Sequence, residues 1–184
     1  MRNRWLTTLI ALTTIPAAAA AQEAHSPYAH EGSEQLKTLS QQEVDDLLNG
    51  AGMGLARPAE LNQYPGPRHA LELADSLSLS DEQLRAVEGT FAEMQGRAKA
   101  LGRQILESER ALDAAFAAGD MTEAALVAAV TRIADLQGEL RAVHLRAHLA
   151  TREVLTRHQI YEYDRLRGYA AEHDHGSGAS GHDG

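Results

Sequence analysis

Residues 79–112 read LSDEQLRAVEGTFAEMQGRAKALGRQILESERAL. Ser80 is followed three positions later by Gln83, the spacing at which a hydroxyl takes the N3 amide while the Gln side chain reaches back to the N-cap amide. A helix starts here. From Leu84 onward, apolar or small residues fall at Val87, Phe91, Met94, Ala98, Leu101, Ile105, Ser108 and Leu112, alternating steps of three and four. That alternation is a heptad seam, and no proline after Pro67 interrupts it.

GDMTEAA, around Gly119, breaks the pattern and offers Asp120 or Thr122 as a new cap. The spacing then resumes through Leu126, Ala129, Ile133, Leu136, Leu140, Val143, Ala147, Ala150 and Val154. Two matched seams joined by a short turn predict an antiparallel hairpin, each arm roughly 50 Å long at the helical rise. LTRHQ, Leu155 to Gln159, repeats the capping box and opens a last helix from Thr156 to about Tyr169. A third box, Ser40 with Glu43, opens a short helix that Gly50 stops. GAGMGLARPAELNQYPGPR, residues 50–68, is a connector with at most one helical turn, and Pro67 suits the start of a helix running to about Leu77. No segment alternates with period two. The predicted fold is all-α: a long antiparallel helical hairpin with shorter flanking helices.

A hairpin this thin cannot bury both of its sides. Aromatics are 4 % of the chain, so there is little bulk for a wide core. The short helices and a second copy are both expected to lie across it, giving a homodimer. Gly89 and Gly96, one heptad apart on the outer face, cost roughly 1 kcal/mol each relative to Ala. Either a partner helix comes close there or they are surface glycines.

Residues 1–21, MRNRWLTTLIALTTIPAAAAA, have the layout of a signal peptide: Arg2 and Arg4, an apolar run, then small residues. The apolar run is shorter than the ~20 residues that span a bilayer. Export to the periplasm follows, with no membrane span in the mature chain. Without Arg2 and Arg4, 15 basic side chains face 26 acidic ones, a formal charge of about −11, which disfavours nucleic acid and anionic membranes as partners. The chain has no Cys, so stability rests on packing. Residues 22–38 read as a flexible arm, 39–170 as the helical domain and 171–184 as a disordered His, Gly and Asp tail.

No nucleophile elbow, phosphate loop or zincin string is present, and a two-seam hairpin by itself offers no deep pocket, so an enzyme is not expected. His144 and His148, four apart, share a helix face just beside the seam and are candidate metal ligands or ordinary surface or seam-edge residues. His173, His175 and His182 in the tail are candidates for loose metal scavenging or plain solvated residues. Arg141, Arg146, Arg152, Arg157, Arg165 and Arg167 make the last third locally basic. With Tyr161, Tyr163 and Tyr169 nearby they suit a surface that holds peptide segments, or a solvated helix face.

The two pentapeptides, on an exported, Cys-free, all-helical chain, resemble the Spy/CpxP family of periplasmic proteins, whose signature is an LTxxQ string occurring twice. LTRHQ matches at Leu155, Thr156 and Gln159, and LSDEQ at Leu79 and Gln83 with Ser80 in place of Thr. The resemblance covers roughly residues 67–169. It implies that these six residues define the fold and that two protomers interlock antiparallel into a thin cradle. It also implies an ATP-independent chaperone for unfolded or misfolded periplasmic proteins, or a stress-response factor that binds a sensor kinase. A related branch binds zinc, nickel or cobalt through histidines four apart on a helix, the spacing of His144 and His148. No cofactor is required beyond a possible divalent transition metal, and a sensor or buffer for zinc, nickel, cobalt or copper is the alternative function.

Overall fold

The hairpin is built from α4, Asp81–Ala118, and α5, Glu123–Val154, which pack against each other along most of their length. The computed structural model describes residues 36–169. The expected signal peptide, nearly all of the expected arm and the tail with His173, His175 and His182 lie outside the described residues. Four shorter helices complete the described chain: α1 (Gln41–Asn49), α2 (Arg57–Glu60), α3 (Pro67–Glu72) and α6 (Arg157–Arg167). No strand occurs among the described residues, and none of their helices is long and apolar enough to cross a membrane.

Each capping box forms as the spacing requires. Ser40, Ser80 and Thr156 accept from the N3 amides of Glu43, Gln83 and Gln159, whose side chains return to the cap amides. Thr122, not Asp120, caps α5 by accepting from Ala125 N at 3.2 Å. Gly119 ends α4 at φ +76°, where a Cβ would be strained. α3 is shorter than expected: regular helix stops at Glu72, and turns continue to Ser78, whose φ of +50° redirects the chain toward α4.

The repeated pentapeptides meet. Gln83 Nε2 donates to Gln159 Oε1 at 2.8 Å, and Gln159 Nε2 returns a bond to Gln83 Oε1 at 3.0 Å. The remaining donor hydrogens go to backbone: Gln83 to Val154 O at 2.9 Å, and Gln159 to Leu77 O at 3.2 Å. Each amide thus closes its own helix cap and joins the other helix start. Leu79 and Leu155 pack beside this joint in a cluster with Ala70, Leu77, Val87 and Tyr163. Repetition of the string is therefore structural complementarity between two helix starts that are 76 residues apart.

A second, larger core lies along the middle of the hairpin. Val44 and Leu47 of α1 pack there on Met94, Ala98, Leu101, Ile105 and Leu106 of α4 and on Leu136, Leu140, Val143 and Ala147 of α5. α1 approaches α4 at Gly102, where a Cβ would stand 2.1 Å from Leu47 O. Gly89 and Gly96 have nothing within 4 Å of a built Cβ. In this chain the crossing that needs glycine is therefore at Gly102.

The seam of α5 rotates as it runs toward Leu155. Ala150 is exposed, and Thr151 is buried in its place, bonding Ala147 O at 2.8 Å. A straight helix drifts about 20° per heptad against a strict seven-residue repeat. That drift carries the buried stripe onto His144 and His148, which are 3 % and 8 % exposed rather than seam-edge residues.

Candidate metal cleft

The connector and α3 do not lie flat on the hairpin. Together with α4 and α5 they enclose a cleft of about 910 Å³, so the flanking pieces supply the concavity that two seams alone lack. Its walls include residues 49–54, Glu60, Leu61, Gly66, His69, Phe91, Met94, His144, His148 and Tyr169. GAGMG acts as the expected helix stop, with Gly50 at φ +64°, and forms part of the rim.

One carboxylate organises this region. Glu60, whose side chain is 12 % exposed, accepts the hydroxyl of Tyr163, the hydroxyl of Tyr169 at 3.3 Å and His69 Nδ1 at 3.2 Å. Arg167 Nε stands 3.6 Å from the same oxygen, and His148 Nδ1 stands 3.5 Å from the other. Tyr163 OH also accepts from Gly66 N at 3.2 Å. Burial first, and then the bond to Glu60, push the Tyr163 phenol well above its ordinary value, so it stays a donor. Asp164, also buried, has its carboxyl raised by burial and by the Glu60 charge. The hub ties α2 and α3 to α6 and α5 and fixes the connector over the cleft.

His148 Nδ1 lies 2.7 Å from Tyr64 O. A carbonyl only accepts, so the neutral ring carries its proton on Nδ1 and leaves the Nε2 lone pair bare. Metal-ligating histidines are oriented by the same kind of backbone bond. Gly66 leaves room beside this ring, since a Cβ there would stand 2.9 Å from His148 Cε1. His144 is the more unusual residue: its Nε2 is buried without a hydrogen-bond partner. Burial and the neighbouring His148 lower its pKa, which favours the neutral, ligand-competent ring.

The six arginines do not form one surface. Arg152 lies over the Tyr64 ring, 4.3 Å from its centroid, and Arg167 joins the Glu60 hub and bonds Tyr169 OH at 3.0 Å. Arg165 is held by Glu162 at 2.8 Å, while Arg141, Arg146 and Arg157 are exposed. The expected peptide-holding face is thus divided, because Arg152 of α5 and Arg167 of α6 turn inward.

Glu60, Tyr64, Gly66 and His69 were not singled out in the sequence. They sit in and beside a Gly- and Pro-rich connector whose local signals speak only of turns, while Glu60 and Gly66 meet Tyr163 on α6 about 100 residues away and Tyr64 meets His148 and Arg152 on α5.

The family model for heavy-metal resistance matches residues 47–160. The chain belongs to the heavy-metal resistance family. The matched span contains the hairpin, the connector, Glu60, His69, His144 and His148, and it ends just past the second pentapeptide. No curated protein and no solved structure matches the chain. Among the described residues, no group of three or more His, Cys, Asp or Glu side chains is gathered so as to hold an ion. Glu60 stands near two histidines, but its Oε1 is already taken by hydroxyl, imidazole and guanidinium donors, and its Oε2 faces the Nδ1 side of His148 at 3.5 Å. What this member of the family offers an ion directly is a pair of imidazoles.

Proposed function

We propose that the protein is an exported metal-binding protein that takes up a heavy-metal ion in the cleft through His144 and His148, acting as a periplasmic buffer or sensor without catalysing a reaction. The observation that carries this is the buried, unpartnered Nε2 of His144, four residues from a His148 whose tautomer Tyr64 fixes. A buried imidazole nitrogen without a partner costs stability, and a bound cation supplies the missing partner. Family membership supports the same reading. The tests are titrations with zinc, nickel, cobalt, copper and silver on the mature chain, on the doubly substituted His144→Ala, His148→Ala protein, and on a chain with His173, His175 and His182 replaced by Ala. About one tight equivalent is expected to vanish in the first variant and persist in the second. Tight binding that persists without His144 and His148 and vanishes without the tail histidines overturns the proposal.

A second reading rests on a different observation. Phe116, Val127 and Val130 are about half exposed near the hairpin turn, and exposed apolar side chains of this kind suit either a second copy or an unfolded chain. It supports the more specific Spy/CpxP likeness, in which an ATP-independent chaperone dimer shields client segments. Suppression of light scattering by a denatured client at stoichiometric amounts tests it. Undiminished scattering in the presence of the protein sets the chaperone reading aside.

A further inference from the structure

The cleft walls also carry sulfur. Met94 is buried in the hairpin core yet lines the cleft that contains His144 and His148. It also lines a smaller cavity with Val143 and Ala147. Those four α5 residues occupy adjacent turns, so Met94 stands at the level of the histidine pair. Met53 lies on the rim of the same cleft.

Negative charge is scarce there. The acidic residues on the cleft walls are Glu60 and Glu72. Glu60 Oε1 is committed to Tyr163, Tyr169, His69 and Arg167, Oε2 lies 3.5 Å from the Nδ1 side of His148 with the Arg167 cation balancing the carboxylate, and Glu72 is exposed and paired with Arg68 at 3.2 Å. Arg57 and Arg68 line the cleft as well. The donors left near His144 are neutral: imidazole nitrogen and thioether sulfur.

We infer that this site takes a soft monovalent ion, copper(I) or silver(I), with Met94 Sδ as a ligand beside His144 and His148. The inference rests on the metal-binding reading above and specifies the ion for the same site. A desolvated divalent ion in a neutral donor set with arginines nearby keeps most of its charge uncompensated, whereas a monovalent ion carries half of it. Thioether and imidazole ligands suit copper(I), while carboxylate-rich sites suit harder ions. The absence of Cys makes Met the sulfur donor.

The test uses the full mature chain with methyl-labelled methionine and silver(I), a redox-stable probe. One equivalent is expected to shift the Met94 methyl signal, identified by its absence from Met94→Leu. Met94→Leu keeps the packing volume and is expected to weaken silver(I) binding roughly tenfold or more, the scale on which even outer-shell partners of a metal act. Zinc added at the same concentration is expected to bind more weakly than silver. If Met94→Leu is poorly folded, Met53→Leu and Met121→Leu assign the Met94 methyl by elimination, and its shift in the unsubstituted chain decides. Zinc bound tightly through His144 and His148 with a silent Met94 signal overturns the inference and leaves the metal-binding reading standing. No response of His144 or His148 to any ion overturns both.

Discussion

The joint between the two pentapeptides makes a quantitative claim that a double-mutant cycle tests. Gln83→Ala removes the two amide–amide bonds, the bond to Val154 O and the return bond from Ser80 N. Gln159→Ala removes the same two amide–amide bonds, the bond to Leu77 O, the return bond from Thr156 N and the bond from the Thr156 hydroxyl. At about 1 kcal/mol net per hydrogen bond, Gln83→Ala is expected to cost about 4 kcal/mol and Gln159→Ala about 5 kcal/mol. The shared pair is lost only once, so the double variant is expected to cost about 7 kcal/mol and the coupling energy to be about 2 kcal/mol. Urea unfolding followed by far-ultraviolet circular dichroism measures each corner of the cycle. Additivity within about 0.5 kcal/mol refutes the reasoning, because it means that the caps act separately and the repeat is coincidental.

Three further outcomes follow from the packing and the site. Gly102→Ala is expected to destabilise by about 1–3 kcal/mol because its Cβ meets the Leu47 carbonyl, whereas Gly96→Ala is expected to gain up to ~1 kcal/mol of helix propensity; chemical denaturation of the two variants checks the contrast. Tyr163→Phe keeps the buried ring but strands Gly66 N and removes one donor from Glu60, a loss of about 1–3 kcal/mol in the same assay. His144 has a lowered pKa in the folded chain, so the unfolded chain binds the extra proton as pH falls through the ordinary value of 6.5. Stability is therefore expected to decline from about pH 6.5 downward toward the folded pKa, and thermal melts of His144→Leu are expected to show a shallower decline over that range.

The helices were legible because their signals are local. Ser40 with Glu43, Ser80 with Gln83 and Thr156 with Gln159 each state a helix start within four residues, and the seams declare the hairpin by periodicity. Placing His144 and His148 on one face was equally local. Their burial was not, because the strict heptad continued onto Ala150 while the real helix rotated its inner face onto Thr151. Gly102 looks no different in sequence from Gly89 or Gly96; only the crossing of α1 distinguishes it. The Glu60 hub was invisible for a related reason. A carboxylate in a connector acquires its role from Tyr163 on α6, Tyr169 just beyond it and a histidine on α5, and nothing near Glu60 in the chain encodes those encounters.

The most direct measurement is nitrogen-detected NMR of the histidine rings of the mature chain as one equivalent of metal ion is added. The expected result is movement of the Nε2 signals of His144 and His148, with His173, His175 and His182 unchanged until the ion is in excess. Movement confined to the tail signals, with the two α5 imidazoles unaltered, contradicts a metal site in the cleft.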